Sequence, residues 1–214
     1  MGEVSVNELT SLGAIARLIK ETESTKPRVL VGIVGPPAAG KSTIAEKLVQ
    51  LLGPKSAVLG MDGFHLPQRT LVKLGKRDRM GAPETFDVDG FVSLLIQLSG
   101  NIGGTALAPG FDRETEEPVP EAIRLGPELT TIVVEGNYLL HDSGGWERVS
   151  PLLDLSFFVR IEQDIRMARL VERHIRYGKT PDAALAWATG PDADNARLIG
   201  ATAERADHII HIAQ

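Results

Sequence analysis

The sequence contains no cysteine. The chain therefore forms no disulfide, has no thiolate nucleophile and cannot hold zinc through cysteine. No apolar run reaches the length that a membrane-spanning helix needs, and the N-terminal stretch lacks the apolar segment of a secretory signal peptide. A cytoplasmic protein that does not cross a membrane is expected.

Positive charge is also scarce, with 23 basic residues against 28 acidic ones and a net charge of −5. This balance argues against general nucleic-acid binding, so no nucleic-acid partner is expected. The basic residues nevertheless cluster in two segments, 69–79 and 160–179. In an acidic protein, such clusters indicate sites for a small anion. The 214 residues fit one domain, and the 43% apolar content is enough for a substantial core.

The most informative stretch is residues 28–43, RVLVGIVGPPAAGKST. Its first seven residues have the composition of a buried strand, and the next eight fit the pattern G-x-x-x-x-G-K-[ST]. Apolar residues then recur at helical spacing, so the motif has the strand and helix on either side that it requires. The alternative is a glycine-rich turn before an ordinary helix, which would need a chance match at four fixed positions. The stretch therefore predicts binding of a nucleoside triphosphate.

The residue types of this loop suit a triphosphate. Gly35 and Gly40 lack Cβ, so the backbone can curl around a phosphate, and the following helix adds its positive end. Lys41 supplies a cation for the β- and γ-phosphates, and the Ser42 hydroxyl can ligate Mg²⁺. We expect the nucleotide to be bound by Gly35, Pro36, Pro37, Ala38, Ala39, Gly40, Lys41, Ser42 and Thr43.

A carboxylate follows the next short strand, which we predict over residues 56–59. Asp62 would lie beyond the C-terminal end of that strand, where active residues of open α/β sheets lie. It is our candidate to accept or orient the proton of an acceptor hydroxyl. The alternative is an Asx-turn residue before Gly63. His65, three residues further on, is a weaker candidate for a substrate contact or a turn residue.

A second carboxylate, Glu135, ends the apolar run of residues 130–134. This position matches the one that holds or orients Mg²⁺ beside a phosphate loop. A glutamate there favours an indirect contact through water. A charged residue that ends a strand by chance is the alternative, but Gly136 directly after it indicates close approach of another group.

An arginine-rich helix is predicted from about Glu162 to Tyr177. At helical spacing, four of its arginines fall within about 80° of arc. Four positive charges on one face of a helix repel one another unless negative groups lie opposite them. These groups could be acidic side chains across a surface, but we favour phosphates that are covered by the helix as a closing lid. These arginines are Arg166, Arg169, Arg173 and Arg176.

Other segments have weaker signals. Residues 6–19 predict an amphipathic helix that begins after Ser5, and residues 66–90 predict a basic, mobile excursion. Residues 87–98 predict a helix that is capped by an aspartate. Strands are predicted at 105–108, 155–161 and 206–212, and a hairpin or loop at 114–120. Arg113 could bind an anionic substrate or be merely solvated.

Six short motifs occur in one order: GPPAAGKST, MDGFH, GAPETFD, APGFDRE, VVEGNYLL and RLVERHIRYGK. This succession resembles the phosphoribulokinase/uridine kinase family of P-loop kinases, over residues 28 to about 212. The DGF, G-x-P-x-[ST]-[FY]-D and EG-x-x-[LV]-L elements are most similar to its pantothenate-kinase-like branch. Within that branch, the chain resembles small kinases that are named for fructose transport.

The resemblance implies a P-loop NTPase fold of class α/β, with a parallel five-stranded core sheet, flanking helices and a helical lid. It implies that Asp62 is the general base, that Glu135 supports Mg²⁺ and that Arg169 and Arg173 stabilise the transferring phosphoryl group. Kinases of this kind are often dimers, so a homodimer is expected. We expect one kinase domain over 1–214, with an N-terminal helix at 1–26, a substrate-side excursion at about 63–120 and a lid with its following helix at about 162–200.

Together these features predict an ATP- and Mg²⁺-dependent kinase that phosphorylates an alcohol of a small metabolite. The 5% aromatic content favours a sugar or sugar-like polyol over a nucleoside, which would need stacking. A nucleoside or pantothenate remains an alternative, although the chain is shorter than bacterial pantothenate kinases and departs from them at 105–120. A non-catalytic nucleotide-binding protein is the alternative from another class, and a GTPase would need an N/T-K-x-D motif that is missing. Candidate aromatic contacts are Phe64, Phe86, Phe111, Tyr138 and Trp146.

Overall fold

A parallel sheet of six strands forms the centre of the computed structural model, which describes residues 7–100 and 103–211. Its strand order is β1-β8-β7-β2-β6-β3, and a separate antiparallel hairpin is formed by β4 and β5. The strands are β1 (Asn7–Leu9), β2 (Val29–Val34), β3 (Ser56–Gly60), β4 (Ala106–Asp112), β5 (Glu117–Leu125), β6 (Thr131–Gly136), β7 (Leu155–Val159) and β8 (His208–Ile210).

Seven helices accompany these strands within the described residues, and several begin at side chains that accept backbone N–H groups. Ser11 accepts from Ala14 before the first helix, and Asp87 accepts from Gly90 at the start of the fourth. None of the described helices combines the length and apolar character that crossing a membrane requires. The helices are α1 (Leu12–Glu23), α2 (Lys41–Leu52), α3 (Gln68–Lys73), α4 (Val88–Gly100), α5 (Gln163–Arg176), α6 (Pro181–Thr189) and α7 (Pro191–Gly200).

Both faces of the sheet are buried, as the near-continuous apolar strands require. In β2, Val31 and Ile33 belong to a core with residues of α1 and α2, whereas Leu30 and Val34 belong to a second core with α4 and the hairpin. This alternation follows from the two-residue period of a strand. Helices on both faces leave the two ends of the strands as the places where polar residues gather.

The sheet has six strands and not the predicted five. The additional strand is β1, which lies in the segment predicted as a helix from residue 6, so that part of the helix prediction is wrong. The backbone of β1 pairs with the edge strand β8, with Leu9 opposite Ile210, and α1 begins only after Ser11. Helical spacing could not show this because the available edge of β8 comes from the other end of the chain. Val6, residues 101–102 and Ile212, which also carry predictions, lie outside the described residues.

The predicted excursion contains α3 and two short 3-10 segments, Arg77–Arg79 and Pro83–Thr85. Of the two possibilities for residues 114–120, the hairpin is the one found, and its strands run from residue 106 to residue 125. The hairpin packs directly against the 3-10 turn Met61–Phe64 that follows β3. Gly63 permits this approach, because a Cβ there would lie 2.2 Å from the Pro109 carbonyl oxygen.

We predict that Gly63→Ala destabilises the protein by about 1–3 kcal/mol, because the added methyl group forces two backbone segments apart. The matched control is Gly13→Ala in α1, where a Cβ meets no atom within 4 Å. That change should raise stability by roughly 0.5–1 kcal/mol. Urea unfolding of both variants measures the effect, and equal stability of Gly63→Ala and the wild type would contradict this packing.

Candidate active site

Three strand ends meet at one edge of the sheet. Strand β6 lies between β2 and β3, and Glu135 in β6 is in register with Ile33 on one side and Gly60 on the other. The phosphate loop follows β2, and Asp62 follows β3. The C-terminal ends of these parallel strands therefore bring the loop and both predicted carboxylates to one cavity of about 710 Å³.

Most of the predicted site residues line this cavity. Gly35, Pro36, Ala39 and Tyr138 are the predicted residues that do not. Those that do are Pro37, Ala38, Gly40, Lys41, Ser42, Thr43, Asp62, His65, Arg113, Glu135, Arg169 and Arg173.

The phosphate loop has the backbone conformation of an anion cradle. Ala38 and Gly40 have φ values of 65° and 90°, in the left-handed region that is uncommon for alanine. Ala39 between them is buried in the core that contains α1 and α2, which anchors the loop. Because α2 begins at Lys41, the N–H groups of its first turn have no intrahelical partner and are available to a phosphate.

Lys41 is buried, with only 8% of its surface exposed. Its ammonium group donates to the Pro36 carbonyl oxygen at 3.1 Å. Burial lowers the pKa of Lys41 to about 8, although the carboxylates of Glu135 and Asp62 act in the opposite direction. The site thus holds a cation whose hydration has been removed and only partly replaced, which favours an incoming anion.

Ser42 and Glu135 form the pair that could hold a metal. The Ser42 hydroxyl donates to Glu135 Oε1 at 3.0 Å, and burial together with nearby Asp62 raises the pKa of Glu135. Among the described residues, no group of three or more acidic or histidine side chains could hold a metal by itself. These two oxygen donors fit Mg²⁺, which binds through one or two protein ligands together with phosphate oxygens and water.

The Asp62 carboxylate makes a salt bridge with Arg113, which reaches it from the end of β4 at 2.9 Å between Oδ2 and Nη2. Burial alone would raise the pKa of Asp62, but the surrounding cations outweigh burial and lower it. No backbone N–H of the described chain donates to this carboxylate, so the Asx-turn alternative does not describe the structure. The groups that lower the pKa of Asp62 are His65 and the cations of Arg113, Arg173 and Lys41.

His65 lines the cavity and also contacts the turn that carries Asp62, and its role as a substrate contact stays a prediction. Its Nδ1 lies 2.8 Å from the Asp62 carbonyl oxygen, so the ring holds the backbone that carries the carboxylate. The ring lies between Phe86 and Phe111, with centroid distances of 4.0 and 4.7 Å. Burial lowers the pKa of His65.

The four arginines of the predicted stripe on α5 divide into two groups. Arg169 and Arg173 line the cavity, and burial together with nearby Arg113 lowers the pKa of Arg173. Arg166 is only 2% exposed and donates to Gln163, and Arg176 forms a surface salt bridge with Glu172. Of the four guanidinium groups of this stripe, those of Arg169 and Arg173 are therefore the ones that line the cavity.

Sequence reasoning placed Tyr138 at the substrate, but the structure places it in the core, where its hydroxyl donates to the Gly81 carbonyl oxygen at 2.6 Å. Burial raises its pKa. Of the five aromatic candidates, Phe86 and Phe111 line the cavity, whereas Phe64 and Trp146 are in the core. Tyr138 supports the cavity wall only indirectly, through the backbone of Gly81.

Sequence reasoning missed a group of cavity residues that come from α5 to α7. His174 and Asp192 form a pair at 2.6 Å, and the Lys179 ammonium lies 4.7 Å from the centre of the Trp187 ring. Asn195 completes the group. The local signals were the basic segment 160–179, which contains His174 and Lys179, and the polar residues at 192, 194 and 195. The packing of α6 and α7 decides which of these side chains face the cavity. Glu116 and Asn137 were missed as well, whereas Arg77 lies in the basic segment 69–79 that was predicted as an anion site.

A phosphate loop and two strand-end carboxylates around one cavity are the arrangement of a P-loop kinase. A model of the phosphoribulokinase/uridine kinase family matches residues 30–213, so the chain belongs to this family. The crystal structure of a "putative fructose transport system kinase from Silicibacter sp. TM1040" is 36% identical, with a TM-score of 0.87, and the match covers 95% of this chain and 100% of that one.

Two curated relatives are similar over different lengths. Uncharacterized protein YggC of Escherichia coli K12 is 32% identical over 199 residues, which are 91% of this chain and 82% of that protein. The ATP-dependent kinase-like protein notR' of Aspergillus versicolor is 37% identical over 133 residues, which are 59% of this chain and 77% of that protein. Proteins named pantothenate kinase also match, one from Sinorhizobium medicae at 27% identity, and the chain spans 53% of its length.

We predict that ATP binding weakens above pH 8. A bound triphosphate favours the protonated form of Lys41, whose pKa in the nucleotide-free protein is about 8, so binding takes up a proton at higher pH. The apparent Kd should rise with pH from about 8, by at most roughly tenfold per pH unit. Titration calorimetry from pH 7 to 9.5 measures this, with Lys41→Met as the control that binds weakly and without this pH dependence. A wild-type Kd that stays constant over this range would contradict the role of Lys41.

Proposed function

We propose that this protein is an ATP- and Mg²⁺-dependent kinase that transfers the γ-phosphoryl group to a hydroxyl of a small metabolite, a sugar or sugar-like compound. One observation carries the proposal: the Asp62 carboxylate shares a cavity with the phosphate loop, and neighbouring cations favour its ionised form. An ionised carboxylate beside a triphosphate is what orienting an acceptor hydroxyl and taking its proton requires.

The residues divide the reaction among them. Residues 35–43 hold the triphosphate, with Lys41 at the β- and γ-phosphates. Asp62 accepts the proton of the acceptor hydroxyl while the oxygen of that hydroxyl forms a bond to the γ-phosphorus. The bond from this phosphorus to the β–γ bridging oxygen breaks, and ADP leaves. Arg169 and Arg173 stabilise the charge of the transferring group.

Ser42 and Glu135 would hold Mg²⁺, Ser42 directly and Glu135 by orienting Ser42 or a water molecule. The metal ion would neutralise negative charge on the β- and γ-phosphate oxygens. The raised pKa of Glu135 is consistent with a carboxylate that awaits a cation in a buried position.

We further propose one kinase domain in which the segment from α5 to α7 closes as a lid. Two arginines of α5 line the same cavity as His174, Asp192 and Asn195, so inward movement of this segment would cover the bound phosphates. A cytoplasmic location and a homodimer stay predictions from the sequence.

A nucleoside or pantothenate is the alternative acceptor. Phe86 and Phe111 line the cavity and could stack on a base, and some relatives are named pantothenate kinase or, in Schizosaccharomyces pombe, putative uridine kinase. The similar structure from Silicibacter is instead named for fructose transport. A non-catalytic nucleotide-binding protein is the alternative from another class, and it would not need a carboxylate beside the γ-phosphate.

The test is ADP release from Mg-ATP with a panel of acceptors: fructose, uridine, cytidine, nicotinamide riboside, pantothenate, ribulose 5-phosphate and glycerate. We predict acceptor-dependent turnover that falls roughly 10²–10⁴-fold in Asp62→Asn, because the general base is lost. It should also be lost in Lys41→Ala.

The matched control is Asp89→Asn, since the Asp89 side chain is 86% exposed and pairs with Arg148 away from the cavity. This variant should retain wild-type turnover. Acceptor-independent hydrolysis that is indifferent to Asp62→Asn would contradict the proposed reaction and favour the nucleotide-binding alternative.

A further inference from the structure

The cations that line the cavity fall into two groups. Lys41, Lys47, Arg169, Arg173 and Lys179 form no salt bridge with any residue of the described chain, although the Lys179 ammonium lies over the Trp187 ring. Arg77 and Arg113, in contrast, each pair with a carboxylate that also lines the cavity. The unpaired group includes Lys41 of the phosphate loop. The paired arginines bind Asp62 and Glu116, which lies in the turn of the hairpin.

The two paired arginines, their carboxylate partners and two neighbouring rings form a surface that we call the acceptor wall. Its residues are Asp62, His65, Arg77, Phe111, Arg113 and Glu116. Arg113 binds Asp62 at 2.9 Å, and Arg77 binds Glu116 at 2.7 Å. Arg77 also donates to Gln68, which in turn donates to the Thr115 carbonyl oxygen in the hairpin turn. Glu116 has a φ of 53°, an uncommon value for a residue other than glycine, and these contacts hold it towards Arg77.

The charges of the acceptor wall cancel, since two guanidinium groups face two carboxylates. An acceptor that placed a carboxylate or phosphate against this wall would have to draw an arginine away from its partner, and Asp62 or Glu116 would lose its salt bridge. Hydroxyl groups have no such cost, because each can donate to a carboxylate and accept from a guanidinium group while the pair stays intact. The rings of His65 and Phe111 add an apolar surface for the carbon side of a polyol.

We propose that the acceptor is a polyhydroxy compound that has neither a carboxylate nor a phosphate group. The inference rests on the proposed kinase function and narrows its substrate class. It favours neutral sugars, polyols and nucleosides over pantothenate, glycerate and phosphorylated sugars. The triphosphate is the anion for which the unpaired cations are available.

The test uses pairs of compounds that differ mainly in the anionic group: panthenol and pantothenate, glycerol and glycerate, ribulose and ribulose 5-phosphate, and fructose and fructose 6-phosphate. Binding to the full chain with Mg²⁺ and a non-hydrolysable ATP analogue is measured by calorimetry, and turnover by ADP release. In the pair that binds best, the neutral member should bind at least about tenfold more tightly, because an anion must break a salt bridge. Equal binding of both members, or tighter binding of the anionic one, would overturn the inference.

A charge variant tests the reason for this preference. Glu116→Gln removes the charge that compensates Arg77. The association constant of the anionic compound divided by that of its neutral counterpart should therefore rise several-fold. The control is Glu114→Gln in the same turn, where the side chain is exposed and does not line the cavity, and its ratio should equal that of the wild type. An unchanged ratio in Glu116→Gln would overturn the assigned role of the Arg77–Glu116 pair.

The two measurements separate this inference from the proposed reaction. Turnover that is confined to anionic acceptors would leave the kinase function standing and overturn the inference. Tight binding of a neutral member without phosphoryl transfer would support the inference and contradict the proposed reaction.

Discussion

The electrostatic balance around the buried ammonium group of Lys41 is the constraint on which the site depends. The group lies at the start of α2, with the carboxylates of Glu135 and Asp62 close enough to oppose the effect of burial on its pKa. Both carboxylates follow from the sheet topology, because β6 ends beside β2 and β3 ends beside β6. A bound triphosphate would add negative charge beside the buried Lys41 ammonium group and favour its protonated form. Nucleotide binding therefore depends on how the strand ends are placed around Lys41.

A second electrostatic balance operates at Asp62 itself. Asp62 must stay ionised to act on a hydroxyl, and the salt bridge from Arg113 favours that state while it occupies only one carboxylate oxygen. The hairpin can deliver Arg113 because Gly63 lets its backbone approach the turn after β3. The packing of the hairpin, the ionisation of Asp62 and the proposed acceptor preference therefore all depend on the contact between Arg113 and Asp62.

The sequence was most informative where function depends on consecutive residues. The phosphate loop, Asp62 and Glu135 were predicted because each comes at or just after the end of an apolar strand, and the structure brings all three to one cavity. Predictions failed where long-range packing decides the outcome. Strand β1 needs the edge of β8, some 200 residues away in the chain.

Side-chain direction was equally hard to predict. Tyr138 lies in a motif beside Glu135, yet its ring turns into the core. The pairing of Arg113 with Asp62 and the position of Asp192 depend on how the hairpin and α7 pack, and no local pattern encodes this. The stripe of arginines on α5 was visible in the sequence, but only the fold shows that two of the four reach the cavity.

The most direct test of the central claim is to follow the fate of the γ-phosphoryl group by ³¹P NMR, with Mg-ATP and an acceptor that supports ADP release. If Asp62 activates a hydroxyl, a phosphomonoester resonance should appear in step with ADP, and little inorganic phosphate should form. Release of inorganic phosphate in equal amount to ADP, with no phosphomonoester, would show that water is the acceptor and would contradict the proposal of a metabolite kinase.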